Sequence, residues 1–184
     1  MNYDELEHAI RAACSVANDT ELFIFGSQAI LGSFPNAPES IRASIEVDVQ
    51  PKNHPELADA LNGPLGELSP FHQAYGFYVH GLPIDEAAIL PVGWADRTIT
   101  VCHPVGTRGY KGHCVEAHDL AASKLAAYRE KDREFVTVLL AEGLIDVNVL
   151  LDRIEQLPPG RLPVGKIELL RPWVIAISDE LGLR

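Results

Sequence analysis

The chain has 184 residues, and its 15 Lys and Arg against 26 Asp and Glu give a formal net charge of −11. A hydrophobic fraction of 47% is typical of a globular protein and excludes a disordered one. So acidic a domain is a poor binder of duplex DNA or of anionic membranes, because affinity for phosphate comes mostly from Lys and Arg. No apolar run reaches the roughly 18 residues of a membrane span. The start of the sequence lacks the basic region of a secretory signal, and its three cysteines are widely spaced, so we expect a reduced, cytoplasmic protein.

The first two thirds of the chain alternate between helical and strand patterns. Apolar residues at helical spacing predict a helix over 3–18, and short apolar or alternating runs predict strands over 21–25 and 43–50. Between these strands the pattern indicates a short helix over 27–33, capped by Ser27. The further elements predicted here are a helix over 54–61, strands over 77–80, 87–90 and 98–103, and a hairpin strand over 114–116.

From residue 118 the apolar pattern becomes helical throughout. The predicted helices cover 119–130, 133–142, 147–156 and 166–181. We therefore expect an α/β or α+β fold in two parts. Residues 1–117 would form a core with a mixed sheet and flanking helices, and residues 118–184 would form a helical region packed on that core.

Two carboxylates stand two residues apart in the strand predicted over 43–50. Residues with this spacing share a face of a strand, so Glu46 and Asp48 project together. Two such carboxylates repel each other, and burying them requires cations or hydrogen-bond donors. Mg²⁺, which prefers carboxylate and phosphate oxygens, would compensate them. The alternative is that both lie on the solvated face of an edge strand, and the spacing alone leaves this open.

Gly26 and Ser27 follow the first strand and open the next helix. Backbone N–H groups in such a turn, together with the serine hydroxyl, can bind a phosphate. A phosphate site beside paired carboxylates is the arrangement that metal-assisted phosphoryl or nucleotidyl transfer needs. The simpler interpretation is a turn with a helix cap. Asp85 and Glu86 are candidates for a third carboxylate, although an acidic chain contains many such residues by composition alone.

Other polar residues give weaker indications of a site. Lys124 lies between apolar residues of a predicted helix, where its ammonium would extend along the surface toward solvent. The histidines are scattered, and we interpret them as capping or half-buried residues rather than as bases. They include His54, His72, His80 and His118.

Five segments of the chain together resemble a family of small bacterial nucleotidyltransferase-like proteins, the DUF6036 group. They are FIFGSQAILGSFP, SIEVDVQPKNHPE, GELSPFHQAYGFYVHG, LPVGWADR and EAHDLAASKLAAYREKD, within roughly residues 20–145. The family belongs to the nucleotidyltransferase superfamily, which includes toxin–antitoxin proteins. The resemblance implies a nucleotidyltransferase-like mixed sheet with flanking helices and a C-terminal helical extension.

The resemblance also implies an activity. The expected reaction is Mg²⁺-dependent transfer of a nucleotidyl group from an NTP to a hydroxyl of RNA or protein, in a site that can hold two metal ions. A toxin–antitoxin or defence setting would add a cognate toxin or antitoxin as partner. The matched residues divide into phosphate contacts, metal ligands and a third acid. The phosphate contacts match Gly26, Ser27 and Lys124, and the metal ligands match Glu46 and Asp48. Glu86 is the best match for the third acid, and Asp85 is the next best.

Two departures from the superfamily pattern are visible. Glu46 stands where the superfamily usually has Asp, and the stretch between Ser27 and Glu46 is longer than usual. They leave a second hypothesis, in which the chain is a catalytically degenerate relative that acts as a binding module, such as an antitoxin or a partner subunit.

Overall fold

A computed structural model describes residues 1–183, so Arg184, the end of the predicted helical region, lies outside the described residues. The chain divides into two compact units. The first contains residues 1–88 and 97–116, and the second contains residues 89–96 and the chain from Ala117 onward. The first unit holds a mixed five-stranded sheet with helices and the second is helical, which confirms the predicted α+β class.

The sheet of the first unit is mixed in strand direction. Its strands are β1 (Glu21–Phe25), β2 (Glu46–Pro51), β3 (Tyr78–Gly81), β4 (Ile99–Val101) and β5 (Lys111–Cys114). They lie in the order β3-β2-β1-β5-β4. The β2–β3 and β1–β5 pairs are parallel, whereas β1–β2 and β4–β5 are antiparallel. The strand with the paired acids, β2, is therefore an internal strand with a neighbour on each side.

Helix α1 (Tyr3–Ala17) covers one face of this sheet. It begins with a capping box between Asn2 and Glu5, and its apolar stripe is buried. The stripe packs so closely that a Cβ added to Gly112 of β5 would lie 2.6 Å from the Cδ1 atoms of both Ile10 and Ile24. The apolar residues of β1, β2 and β3 that point to this face are buried: Leu22, Ile24, Val47, Val49 and Val79. Strand alternation then places Glu46 and Asp48 on the opposite face.

Short helices connect the strands of the first unit. They are α2 (Ile30–Ser33), α3 (Asn62–Leu65), α4 (Pro70–Tyr75) and α5 (Ile84–Ala87), with 3-10 turns at Ser27–Ala29, Glu39–Ile41, Pro55–Leu57 and Asp59–Leu61. The helix predicted over 54–61 is thus two 3-10 turns. The strand predicted over 87–90 is wrong, because this stretch contains the end of α5. Helix α5 starts after Pro83 and carries two acids in its first turn, which favours a helix N-terminus.

The second unit contains the helices α6 (Ala117–Ala127), α7 (Glu130–Ala141), α8 (Val147–Glu155) and α9 (Lys166–Glu180). These confirm the four predicted helices, with ends that differ by a few residues. Tyr128 ends α6 in a left-handed conformation, with φ of 58°. Asp146 caps α8 by accepting hydrogen bonds from the backbone of Asn148 and Val149. Among residues 1–183, no helix is long and apolar enough to cross a bilayer.

Candidate functional site

Three potential metal ligands meet on the sheet face opposite α1. Glu46 and Asp48 lie on β2, and the parallel register with β3 places His80 opposite Asp48. The Nδ1 atom of His80 lies 2.8 Å from Oε1 of Glu46 and 3.2 Å from Oδ1 of Asp48. One ligand atom from each residue lies within 4.8 Å of the other two, and within residues 1–183 this is the one group of three or more such side chains. We call it the EDH cluster.

The contacts in the EDH cluster explain how two acids coexist on one strand face. A carboxylate only accepts hydrogen bonds, so Nδ1 of His80 carries a hydrogen in this arrangement. The imidazole lowers the repulsion between Glu46 and Asp48, and all three side chains remain partly open to solvent. Since β2 is an internal strand, the edge-strand part of the alternative interpretation is wrong, whereas the face that carries the two acids is partly open to solvent.

The donor atoms of the EDH cluster fit a divalent cation. Two carboxylates suit Mg²⁺ or Mn²⁺, and an imidazole shifts the preference toward transition metals. A metal held by all three residues would take the place of the hydrogen that Nδ1 shares with the two carboxylates, and the imidazole would then carry its hydrogen on Nε2.

The turn after β1 lies directly against Asp48. Gly26 has φ of 67° and ψ of −168°, a conformation that is essentially restricted to glycine. A Cβ added to Gly26 would overlap Oδ2 of Asp48 and would lie 3.0 Å from its Cγ. The strand register is consistent with this contact, because Phe25, the residue before Gly26, is paired with Asp48 across β1 and β2. The structure therefore brings the Gly26–Ser27 turn and the paired acids together.

The helix after this turn differs from the prediction in its cap. It begins as a 3-10 turn over Ser27–Ala29 and continues into α2. The N-cap position is Gly26, and no side chain caps it. Ser27 is therefore the first residue of the helical turn rather than its cap.

The long stretch between Ser27 and Glu46 is fixed to the same turn by Gln28. This side chain is fully buried, and its Nε2 donates to the carbonyl oxygens of Ser44 at 2.8 Å and Arg42 at 3.3 Å. Arg42 in turn donates from Nε to the carbonyl of Ala37 at 2.5 Å. The extra residues thus form an ordered connection that leads directly into β2.

Asp85 and Glu86 are not members of the EDH cluster. Both are exposed on the short helix α5, which follows β3. The third member is His80, for which the sequence alone predicts only a capping or half-buried role. In the sequence, Tyr78 and His80 are two residues apart in a predicted strand, so they share one face of it. This pattern indicates a site only when β3 is known to pair with β2.

Tyr78 connects the EDH cluster to its surroundings. It lies opposite Glu46 in the β2–β3 register, so the two side chains share the face of the sheet that carries the cluster. Burial, followed by the negative charges of Glu46 and Glu67, raises the pKa of Tyr78, so the hydroxyl keeps its proton at neutral pH.

Lys124 belongs to the second unit, on α6. Its Nζ lies 3.5 Å from Oδ1 of Asp132 and 4.6 Å from the centre of the Phe135 ring. Asp132 is fully buried and also accepts a hydrogen bond of 2.6 Å from Nε of Arg129. Burial lowers the pKa of Lys124, and the Asp132 charge partly offsets this effect. Lys124 is thus paired with Asp132 within the helical unit, and its predicted contact with a nucleotide phosphate stays a prediction.

Comparisons of the chain with protein-family models, with curated proteins and with solved structures find no match. The resemblance to nucleotidyltransferase-like proteins therefore stays a prediction. The EDH cluster and the turn beside it are the features that point to a function.

Proposed function

We propose that the first unit is a divalent-metal-dependent nucleotidyltransferase. It would move a nucleotidyl group from an NTP to a hydroxyl of RNA or protein, as the resemblance implies, with a toxin–antitoxin or defence system as the proposed setting. The observation that carries the proposal is the close approach of Gly26 to the Asp48 carboxylate within a group of three metal-ligand side chains. This approach puts the Gly26–Ser27 turn and a set of potential metal ligands at one place on the sheet.

Each residue near the EDH cluster has a part in this proposal. Glu46 and Asp48, with His80, would hold Mg²⁺ or Mn²⁺, which supplies charge neutralisation and polarises the phosphoryl oxygens. The N–H groups of the Gly26–Ser27 turn would face the phosphates. The acceptor oxygen would attack the α-phosphorus while the bond to pyrophosphate breaks, and its proton would pass to an exposed carboxylate on α5, Glu86 or Asp85.

Lys124 lies in the second unit, so its predicted phosphate contact stays a prediction and is not used in this proposal. Removing its ammonium from Asp132 would leave a fully buried carboxylate with a single cationic partner, Arg129, at a cost of some kcal/mol.

A second candidate function is a non-catalytic binding module in the same setting. The EDH cluster favours it in one respect, because His80 already compensates both carboxylates without a metal. In addition, no third carboxylate joins the cluster in the part of the chain that the structure describes. Such a module would bind a protein partner, such as a cognate toxin, and would transfer nothing.

The two functions can be separated by a transfer assay. The protein would be incubated with α-labelled NTPs, total RNA and cell lysate, with Mg²⁺ or Mn²⁺, and label on RNA or protein would be measured. The enzyme proposal predicts transfer by the parent chain, loss of transfer in Asp48→Asn, and retention in Asp152→Asn, a control on an exposed acid of the second unit. Transfer by Asp48→Asn at the rate of the parent chain would contradict the assignment of the active site to the EDH cluster. Nucleotide and metal binding without transfer to any acceptor would support the binding module.

A further inference from the structure

Two aromatic side chains form a half-buried pair beside the EDH cluster. Tyr78 of β3 lies opposite Glu46 on β2, and the ring of His72 on α4 lies with its centre 5.0 Å from that of Tyr78. The two rings are inclined by 49°. We call them the ring pair. Both side chains keep part of their surface open to solvent, so a flat ligand can reach them.

The ring pair is held in place before any ligand arrives. Nδ1 of His72 accepts a hydrogen bond of 3.0 Å from the backbone N–H of Leu68. An accepting Nδ1 places the hydrogen of the neutral imidazole on Nε2. Within residues 1–183 that Nε2 hydrogen has no protein partner, so it can donate to a ligand.

Helix α4, which carries His72, is itself anchored by other aromatic residues. The ring of Phe71 meets that of Phe77 edge to face, with centres 5.2 Å apart. The ring of Tyr75 meets that of His8, with centres 4.3 Å apart. This packing fixes the direction of α4, and with it the position of His72 beside Tyr78.

We propose that the ring pair is the surface on which the base of the nucleotide stacks, an inference that rests on the proposed function. Tyr78 and His80 are two residues apart on β3, which corresponds to roughly 7 Å. A single ribose joins the base of a nucleotide to its 5′ phosphates, so a nucleotide with its phosphates at the EDH cluster can place its base at this distance.

The charges around the ring pair favour a neutral base over a second anion. Glu46 and Glu67 both place negative charge near Tyr78. They repel a free phosphate there but not an uncharged heterocycle. Every base has a π-face, so stacking binds all four NTPs, and purines bind more tightly than pyrimidines because they offer the larger face. The free Nε2 hydrogen of His72 adds one contact to a ring nitrogen or carbonyl oxygen of the base.

The test compares a nucleotide with its phosphates alone. Binding of ATP and of inorganic tripolyphosphate, each with Mn²⁺, would be measured calorimetrically for the parent chain, Tyr78→Leu, Tyr78→Phe and His72→Leu. The control is Tyr110→Leu, a half-buried tyrosine elsewhere in the first unit. Tyr78→Leu and His72→Leu should each weaken ATP binding by about five- to a hundred-fold and leave tripolyphosphate binding unchanged. Tyr78→Phe, which keeps the ring and loses only the hydroxyl, should leave the ratio of the two affinities as in the parent.

Three results would count against base stacking. If Tyr78→Leu and His72→Leu bind ATP as the parent does, the ring pair does not touch the base. If both variants bind ATP and tripolyphosphate more weakly by the same factor, the rings affect binding by positioning Glu46 or by stabilising the fold, and not by contact with the base. If the parent chain binds neither ligand with Mn²⁺, the proposed function fails together with this inference, whereas the first two results leave the proposed function intact.

Discussion

Replacing Gly26 with alanine tests the contact on which the site depends. The backbone of Gly26 lies in a region that an L side chain rarely adopts, and the new methyl group would overlap Oδ2 of Asp48. The carboxylate would have to rotate away from the turn and from His80. Gly26→Ala therefore changes both the stability of the first unit and the geometry of the EDH cluster.

Two costs determine the size of this effect. A non-glycine residue in such a backbone region costs about 1–3 kcal/mol, and turning the carboxylate away from its preferred rotamer costs roughly 1 kcal/mol more. We expect Gly26→Ala to lower the free energy of unfolding by about 3 kcal/mol. In an Asp48→Ala background the overlap disappears, because the Cβ of residue 48 lies 3.4 Å away, and only the backbone cost of about 2 kcal/mol remains.

A double-mutant cycle measures the difference. Urea unfolding of the parent, Gly26→Ala, Asp48→Ala and the double variant should give a coupling of about 1 kcal/mol between the two positions. Mn²⁺ titration of Gly26→Ala should show weaker binding than in the parent, since the displaced carboxylate no longer joins the cluster. Equal costs of Gly26→Ala in both backgrounds, with unchanged Mn²⁺ affinity, would refute the contact between the turn and Asp48.

Three further predictions concern stability. Lys124→Met should lower the free energy of unfolding in urea by about 2 kcal/mol, because the buried carboxylate of Asp132 loses one of its cationic partners; an unchanged value would contradict a stabilising effect of this ion pair. Hydrogen bonds from Lys52 and then from His113 lower the pKa of Glu21 from 4.5 to about 2, so the stability from this group is complete above pH 4.5 and is lost as the pH falls toward 2. Lys52→Met should therefore shift acid unfolding, followed by circular dichroism, to higher pH, and an identical acid transition would argue against it. Leu68 has φ of 63° and is 78% exposed. Leu68→Gly should therefore raise the free energy of thermal unfolding by about 0.5–1 kcal/mol, because glycine adopts this backbone conformation without strain. A loss of stability would show that contacts of the leucine side chain stabilise the fold.

Local patterns in the sequence were sufficient for the elements that bury an apolar face. The stripe of α1 and the alternation in β2 each follow from burial on one side, so the shared face of Glu46 and Asp48 was predictable. The short elements were not, because stretches of four to six residues such as α4 carry too few apolar positions to define a period.

The third member of the EDH cluster depends on pairing between distant parts of the chain. His80 reaches Glu46 and Asp48 only because β3 lies parallel to β2 with His80 opposite Asp48. No local pattern fixes the register of two strands separated by a long connection. The sequence therefore points to acids, Asp85 and Glu86, as the third ligand, and the chain places both on the helix beyond β3.

Metal binding by the EDH cluster is the central claim, and anomalous diffraction from crystals soaked in MnCl₂ tests it most directly. The account predicts an anomalous peak about 2.2 Å from a carboxylate oxygen of Glu46, an oxygen of Asp48 and a nitrogen of His80. The peak should disappear in crystals of Asp48→Asn soaked in the same way. No peak in the parent chain at saturating Mn²⁺, or a peak that persists in Asp48→Asn, would contradict the claim.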